Sequence, residues 1–258
     1  MDLGIKNLRV LVTAGASGIG LEIARAFLRE GAKVHICDVD KEALAATRKS
    51  DPALTQSVCD VADRAAVQRL FDEALKALGG LDCLVNNAGI AGPTGRVEEI
   101  NPEDWDRCLA VDLTGQFNCA RLAIPHLKQS KNPSIMNLSS QAGKHGFPLR
   151  SPYAAAKWGV IGFTKSIAIE LGPLGIRANA LLPGLVAGER IRRVIEAKAQ
   201  QLGRSFKEQE QAMFHFTSIK EYVTPQQLAD MVVFTASPRG KTISGQAISV
   251  CGDTNMLG

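Results

Sequence analysis

The chain has 258 residues, 45% of them hydrophobic and 22% charged, with a formal net charge of +4. That composition fits one large α/β domain as well as two small ones, and the lack of a Lys/Arg run, with only two Trp and two Tyr, argues against a nucleic-acid footprint or a membrane-surface helix. No apolar run approaches a membrane span and the stretch Met1 to Lys6 lacks the charged-then-apolar order of a signal peptide, so a cytoplasmic protein with no membrane or nucleic-acid partner is expected.

Leu8 to Thr13 is a short, nearly continuous apolar run, the mark of a strand buried on both faces. A small-residue turn from Ala14 to Gly20 follows, and Leu21 to Glu30 show helical spacing before Gly31. Strand, glycine turn and helix form the context in which backbone N–H groups and a helix dipole meet a pyrophosphate, which makes Gly15, Ser17, Gly18, Ile19 and Gly20 candidate cofactor contacts. The second strand, Lys33 to Asp38, ends in an acid eighteen residues after Gly20. A carboxylate there accepts ribose hydroxyls and repels a 2′-phosphate, which favours NAD over NADP; the alternative is a plain turn aspartate.

Helix Lys41 to Lys49, strand Leu54 to Val58 running into Asp60-Val61, helix Arg64 to Leu78 and strand Leu81 to Val85 repeat the alternation. The fourth strand runs into Asn86-Asn87-Ala88-Gly89, so every polar motif falls at the carboxyl end of a strand, where ligands of parallel sheets bind. A helix over Trp105 to Leu127, a fifth strand over Ile135 to Leu138, and the loop Gln141 to Arg150 come next. The six cysteines are scattered without a C-x-x-C and the four histidines share no ligand spacing, so reduced buried thiols and no metal are expected.

Ser151 to Leu171 reads as a long helix in which Tyr153 and Lys157, four residues apart, share a face. A fixed cation beside a phenol favours the phenolate, so the pair is suited to proton transfer near neutral pH. Oxidation of an alcohol needs such a base near its oxygen and a donor for the developing charge. Ile176 to Leu182 is the sixth strand, ending at Pro183-Gly184; Pro225 opens a helix to Ser237, and Ala247 to Val250 is the last strand.

The Thr13 to Gly20 turn, Asp38, Asp60-Val61, Asn86-Asn87-Ala88-Gly89, Ser140, Tyr153, Lys157 and Pro183-Gly184 together resemble the short-chain dehydrogenase/reductase family over nearly the full length. The resemblance implies one Rossmann-type, doubly wound domain over 1–258 with a seven-stranded parallel sheet. It also implies a nicotinamide cofactor, taken here as NAD, and a Ser140-Tyr153-Lys157 catalytic group. The serine is the one thirteen residues before the tyrosine, hence Ser140 and not Ser139. Asn87, Ala88, Gly89, Asp60, Val61 and the stretch Pro183, Gly184 and Val186 are the further cofactor contacts it implies, Lys157 holds the nicotinamide ribose, and a homo-oligomer, tetramer or dimer, packs through the two long helices.

Two departures stand out. Ala14 occupies the position of the family's first glycine, which requires a negative φ there. Asp112 replaces the family's asparagine, which helps hold a water beyond the lysine; a carboxylate adds negative charge near Tyr153 and is expected to make the activity optimum more alkaline. The charged stretch Glu189 to Tyr222, within 185–222, reads as two short helices forming a substrate lid, with an oligomer contact as the alternative. Gln141, His145, Arg150 and Arg190 flank the expected pocket, and the guanidinium groups there suit an anionic or polyhydroxylated alcohol such as a sugar acid. A 3-oxoacyl-thioester reductase, a catalytically impaired nicotinamide-binding sensor and a protein-binding scaffold are the other functions compatible with these residues.

Overall fold

The computed structural model describes residues 2–257. Seven strands, β1 (Arg9–Thr13), β2 (Lys33–Asp38), β3 (Thr55–Val58), β4 (Cys83–Asn86), β5 (Ser134–Leu138), β6 (Arg177–Pro183) and β7 (Ala247–Val250), form one sheet in the order β3-β2-β1-β4-β5-β6-β7. Every pairing is parallel, so each strand returns to the same edge through a crossover.

The alternation of side chains across the sheet sorts the core into two halves. Val10, Val12, Val34 and Ile36 face helix α1 (Gly18–Arg29), helix α2 (Lys41–Ser50) and a late helix, α9 (Pro225–Ala236), through Ile23, Phe27, Leu44, Leu228 and Val232. Leu11, Cys37 and Leu84 face the other way, toward α3 (Arg64–Leu78), α5 (Gly115–Leu127) and α6 (Ser151–Leu171). Four of the six free cysteines, Cys37, Cys59, Cys83 and Cys119, are buried in these layers; Cys108 is buried outside them and Cys251 is partly covered.

The helix expected over Trp105 to Leu127 divides into α4 (Pro102–Leu109), a wide π turn over Ala110–Thr114, and α5. Nothing in the sequence of that turn breaks a helix; its cause is tertiary, because Asp112 at its centre is wholly buried and bonds outside its own helix. Such π turns recur where a side chain must be aimed at a site. The 185–222 stretch contains α7 (Glu189–Leu202) and α8 (Phe206–His215), packed on a small cluster of their own made by Leu185, Ile195 and Met213. Among the described residues no helix is long and apolar enough to cross a membrane.

Candidate active site

The strand order reverses between β1 and β4, and the two strand ends are stitched there. Thr13 Oγ1 accepts from the backbone N–H groups of Asn87 (3.0 Å) and Ala88 (2.9 Å), while the Asn87 amide donates to the carbonyls of Thr13 and Ala14 at 3.0 Å each. The crevice left at such a reversal is where open α/β sheets take ligands.

The turn opening α1 has no room for side chains at two of its glycines. A Cβ on Gly20 would lie 2.1 Å from the Ala14 carbonyl oxygen, and one on Gly15 would lie 2.7 Å from Ile36. Gly18 has φ +53° with open space above it. Ser17, the residue before α1, makes no side-chain cap, so the first N–H groups of the helix face the crevice without a side-chain acceptor. The requirement for negative φ at Ala14 is not met: its φ is +48°. The left-handed conformation is held because the Ala14 carbonyl must turn toward the Asn87 amide, and the methyl carries the steric cost that a glycine would avoid.

Asp38 ends β2 with its carboxylate over the same turn. Oδ2 accepts from Ala16 N–H (3.2 Å) and Oδ1 from Asp40 N–H (3.1 Å). At Asp60, Oδ2 pairs with Arg107 at 2.8 Å and Oδ1 accepts from Ala62 N–H. Val61 is buried, its carbonyl accepting from Asn118. Gly184 donates its N–H to Val250 and lies against Cys251, and Val186 bridges to Val223, which fixes the segment after Pro183.

Lys157 is buried on α6 with its Nζ 5.5 Å from the centre of the Tyr153 ring. The ammonium donates to the Leu138 carbonyl (3.2 Å) and forms an ion pair with Asp112 Oδ2 at 3.3 Å, both side chains being nearly inaccessible. Asp112 Oδ1 accepts from Ile90 N–H at 2.6 Å, so the carboxylate ties the lysine to the loop that follows β4. The carboxylate thereby makes a direct charge contact with the lysine that asparagine would lack. Gly89 leaves the space: its Cβ would sit 3.2 Å from Lys157 Nζ.

The neighbouring serines divide. Ser139 is buried and donates to the Lys157 carbonyl (2.8 Å), fixing α6 against β5, whereas Ser140 is partly exposed at the strand end and its hydroxyl accepts from Ala142 N–H. Asn86, Asn137 and Thr164 form a buried polar ladder beneath them, with amide contacts of 2.9 Å at each step. The sequence signal for Asn137, which joins Asn86 to Thr164, is a polar residue inside an otherwise apolar strand.

Of the four residues expected to touch substrate, two are turned inward. Gln141 is buried and donates to the Leu182 carbonyl, which ties the loop to β6. Arg150 is one of the largest fully buried side chains, stacked on Phe147 and Tyr153 and donating to the Ala91 carbonyl. His145 is partly exposed on the loop, and Arg190, at the start of α7, reaches across to donate to the Gly89 carbonyl at 2.9 Å. Lys198, unremarked in the sequence, is buried on α7 with Nζ 4.6 Å from the Phe147 ring centre. Burial, then Arg150 and Arg204, push its ammonium down to about 8.

A family model described as enoyl-(acyl carrier protein) reductase matches residues 13–253. The chain is 42% identical over 173 residues, 67% of its length and 70% of the relative's, to a 2-dehydro-3-deoxy-L-rhamnonate dehydrogenase (NAD(+)) of a Sphingomonas species. It is 34% identical over 246 residues, 94% of its length and 95% of the relative's, to the 3-oxoacyl-acyl-carrier-protein reductase of Thermotoga maritima. A crystal structure of an actinorhodin polyketide ketoreductase variant with NADPH matches it with a TM-score of 0.90 at 32% identity, covering 97% of each chain. A sheet of this order, with relatives that agree along nearly its whole length, leads to one conclusion: the chain belongs to the short-chain dehydrogenase/reductase family of oxidoreductases.

Proposed function

We propose that the protein is an NAD-linked dehydrogenase of a secondary alcohol bearing an anionic or polyhydroxylated group, with a sugar acid as the type of substrate. The observation that carries the reading is the Tyr153 ring beside a buried ammonium at the same crevice as the uncapped start of α1. The glycine positions whose Cβ would clash, and the α1 N–H groups with no side-chain acceptor, fit a pyrophosphate. Asp38 lies over that turn and suits ribose hydroxyls, which is the support for NAD.

When bound, the nicotinamide supplies the hydride acceptor or donor. The chain supplies the proton chemistry. Tyr153 takes the proton from the substrate hydroxyl as its phenolate, Ser140 donates a hydrogen bond to the same oxygen, and Lys157 holds positive charge against the ring. Asp112 and the Leu138 carbonyl fix the position of that ammonium. Arg190 at the mouth of the crevice, and the relative named for a sugar acid, support an anionic substrate. The helices α7 and α8 act as its lid, closed here by the Arg190 contact to Gly89. Exposed Phe117, Trp158 and Ile169 on the outer faces of α5 and α6 support a homo-oligomer, and a cytoplasmic setting agrees with the free thiols.

A second reading, reduction of a 3-oxoacyl thioester with NADPH, draws on the Thermotoga relative and the NADPH-containing neighbour. Initial rates with sugar acids, polyols and simple alcohols against NAD and NADP, and with a 3-oxoacyl thioester in the reductive direction, separate the two. NAD-linked oxidation of a hydroxy acid is the expected result; thioester reduction with NADPH and no alcohol oxidation would replace it with the second reading.

A further inference from the structure

Arg150 is only 2% exposed, yet it takes part in no ion pair among the described residues. Its guanidinium carbon lies 5.2 Å from the centre of the Tyr153 ring and 5.4 Å from that of Phe147, one terminal nitrogen donates to the Ala91 carbonyl, and Nε has no hydrogen-bond partner. A buried cation without an acid costs free energy, and this one is placed against the aromatic ring that must carry negative charge in the reaction.

The charges around that ring account for its presence. Lys157 Nζ lies 5.5 Å from the ring centre on the same helix, but Asp112 of the π turn neutralises it at 3.3 Å. Cys108 of α4 is neutral, since burial and then Asp112 push its thiol up to about 11. From α7, Arg190 and Lys198 add positive charge in the vicinity of Arg150, Arg190 bound to the Gly89 carbonyl and Lys198 over Phe147. An asparagine at 112 would leave the lysine's charge whole; with an aspartate there, the charge in contact with the phenol must come from elsewhere.

We propose that Arg150 is a positioning residue for catalysis, a second cation stacked on Tyr153 that offsets Asp112 and stabilises the phenolate during proton transfer. The proposal rests on Tyr153 being the general base. Burial lowers the guanidinium's own pKa, with Tyr153 the strongest of the opposing influences, and arginine stays protonated across the working range.

The test compares Arg150→Met, which keeps the packed stem, and Arg150→Lys, which keeps the charge, with the native protein. The kcat profile of Arg150→Met is expected to move about one pH unit toward alkali with KM little changed, and Arg150→Lys to recover most of the shift. Asp112→Asn combined with Arg150→Met should return the profile close to native. A raised KM with an unmoved profile would make Arg150 a substrate contact instead, and an unmoved KM and profile would leave it a packing residue; either overturns the proposal.

A readout without turnover keeps this separate from the dehydrogenase reading. The chain has two tyrosines, and the other, Tyr222, is pushed up by burial and by Glu210. In a Tyr222→Phe background, tyrosinate absorbance should therefore appear at lower pH in the native chain than in Arg150→Met. Equal titrations would refute the proposal even if no substrate were found, whereas displaced titrations without turnover would uphold the charge contact of Arg150 with the Tyr153 phenolate and refute the dehydrogenase reading on which its catalytic role rests. Should Arg150→Met not fold, Arg150→Gln, which retains a donor for Ala91, takes its place in both measurements.

Discussion

Replacing Asp112 by asparagine removes one charge from the site and leaves its shape. The carboxylate is fully buried, with Oδ1 on Ile90 N–H at 2.6 Å and Oδ2 at 3.3 Å from Lys157 Nζ, the latter an ion pair without hydrogen-bond geometry. At that separation the gross attraction is about 5 kcal/mol for an effective dielectric of about 20, and desolvation of both groups consumes much of it. Removing one partner of a buried pair costs roughly 3–5 kcal/mol. An asparagine keeps the acceptor for Ile90, so the lower end, about 3 kcal/mol, is expected, equivalent to a fall in Tm of about 6–12 °C. The pH profile should move the other way from a loss of function: without the carboxylate, the optimum for alcohol oxidation falls by about one pH unit. Initial rates of NADH formation between pH 6 and about 10, paired with thermal melts, measure both. An unchanged or more alkaline optimum in Asp112→Asn would refute the electrostatic argument, and an unchanged Tm would refute the stability argument.

Acid stability should depend on His35, whose ring nitrogens bond Thr55 and Ser57 at 2.8 and 2.9 Å and whose burial lowers its pKa to about 4. The unfolded chain takes up a proton near pH 6.5 and the folded one does not, so stability falls as pH drops from about 6.5 to 4, by on the order of 3 kcal/mol, and levels off below. Urea melts across that range should show a smaller loss in His35→Gln; equal slopes would contradict this. Ala14→Gly relieves the left-handed methyl and should be neutral or stabilising by up to about 1 kcal/mol, while Gly20→Ala, with its Cβ on the Ala14 carbonyl, should abolish NADH binding as followed by nucleotide fluorescence. Asp38→Ser should raise the rate with NADP relative to NAD by about tenfold or more, and an unchanged ratio would mean the carboxylate does not face the ribose.

The parallel sheet was legible because strands buried on both faces read as continuous apolar runs, and the β2 and α3 boundaries fall where periodicity places them. Tyr153 and Lys157 were legible for an equally local reason, the i, i+4 spacing of one helix. What escaped depends on contacts between elements distant in sequence. Arg150 and Gln141 belong to a loop that the sequence sets beside the pocket, yet both are buried, Gln141 on the Leu182 carbonyl and Arg150 against Phe147 and Tyr153. The π turn at Asp112 is imposed by bonds to Ile90 and Lys157, and no helix-breaking residue announces it. The positive φ of Ala14 likewise follows from a carbonyl turned to Asn87, a residue far along the chain.

The most direct test of the account is the NAD-linked oxidation rate of Tyr153→Phe on whichever alcohol the native enzyme accepts, with NADH binding measured on the same preparation. Loss of the general base should lower kcat by about 10²–10⁴-fold while the nucleotide binds as before. A Tyr153→Phe enzyme that turns over at the native rate would contradict the assignment of the proton transfer to this residue.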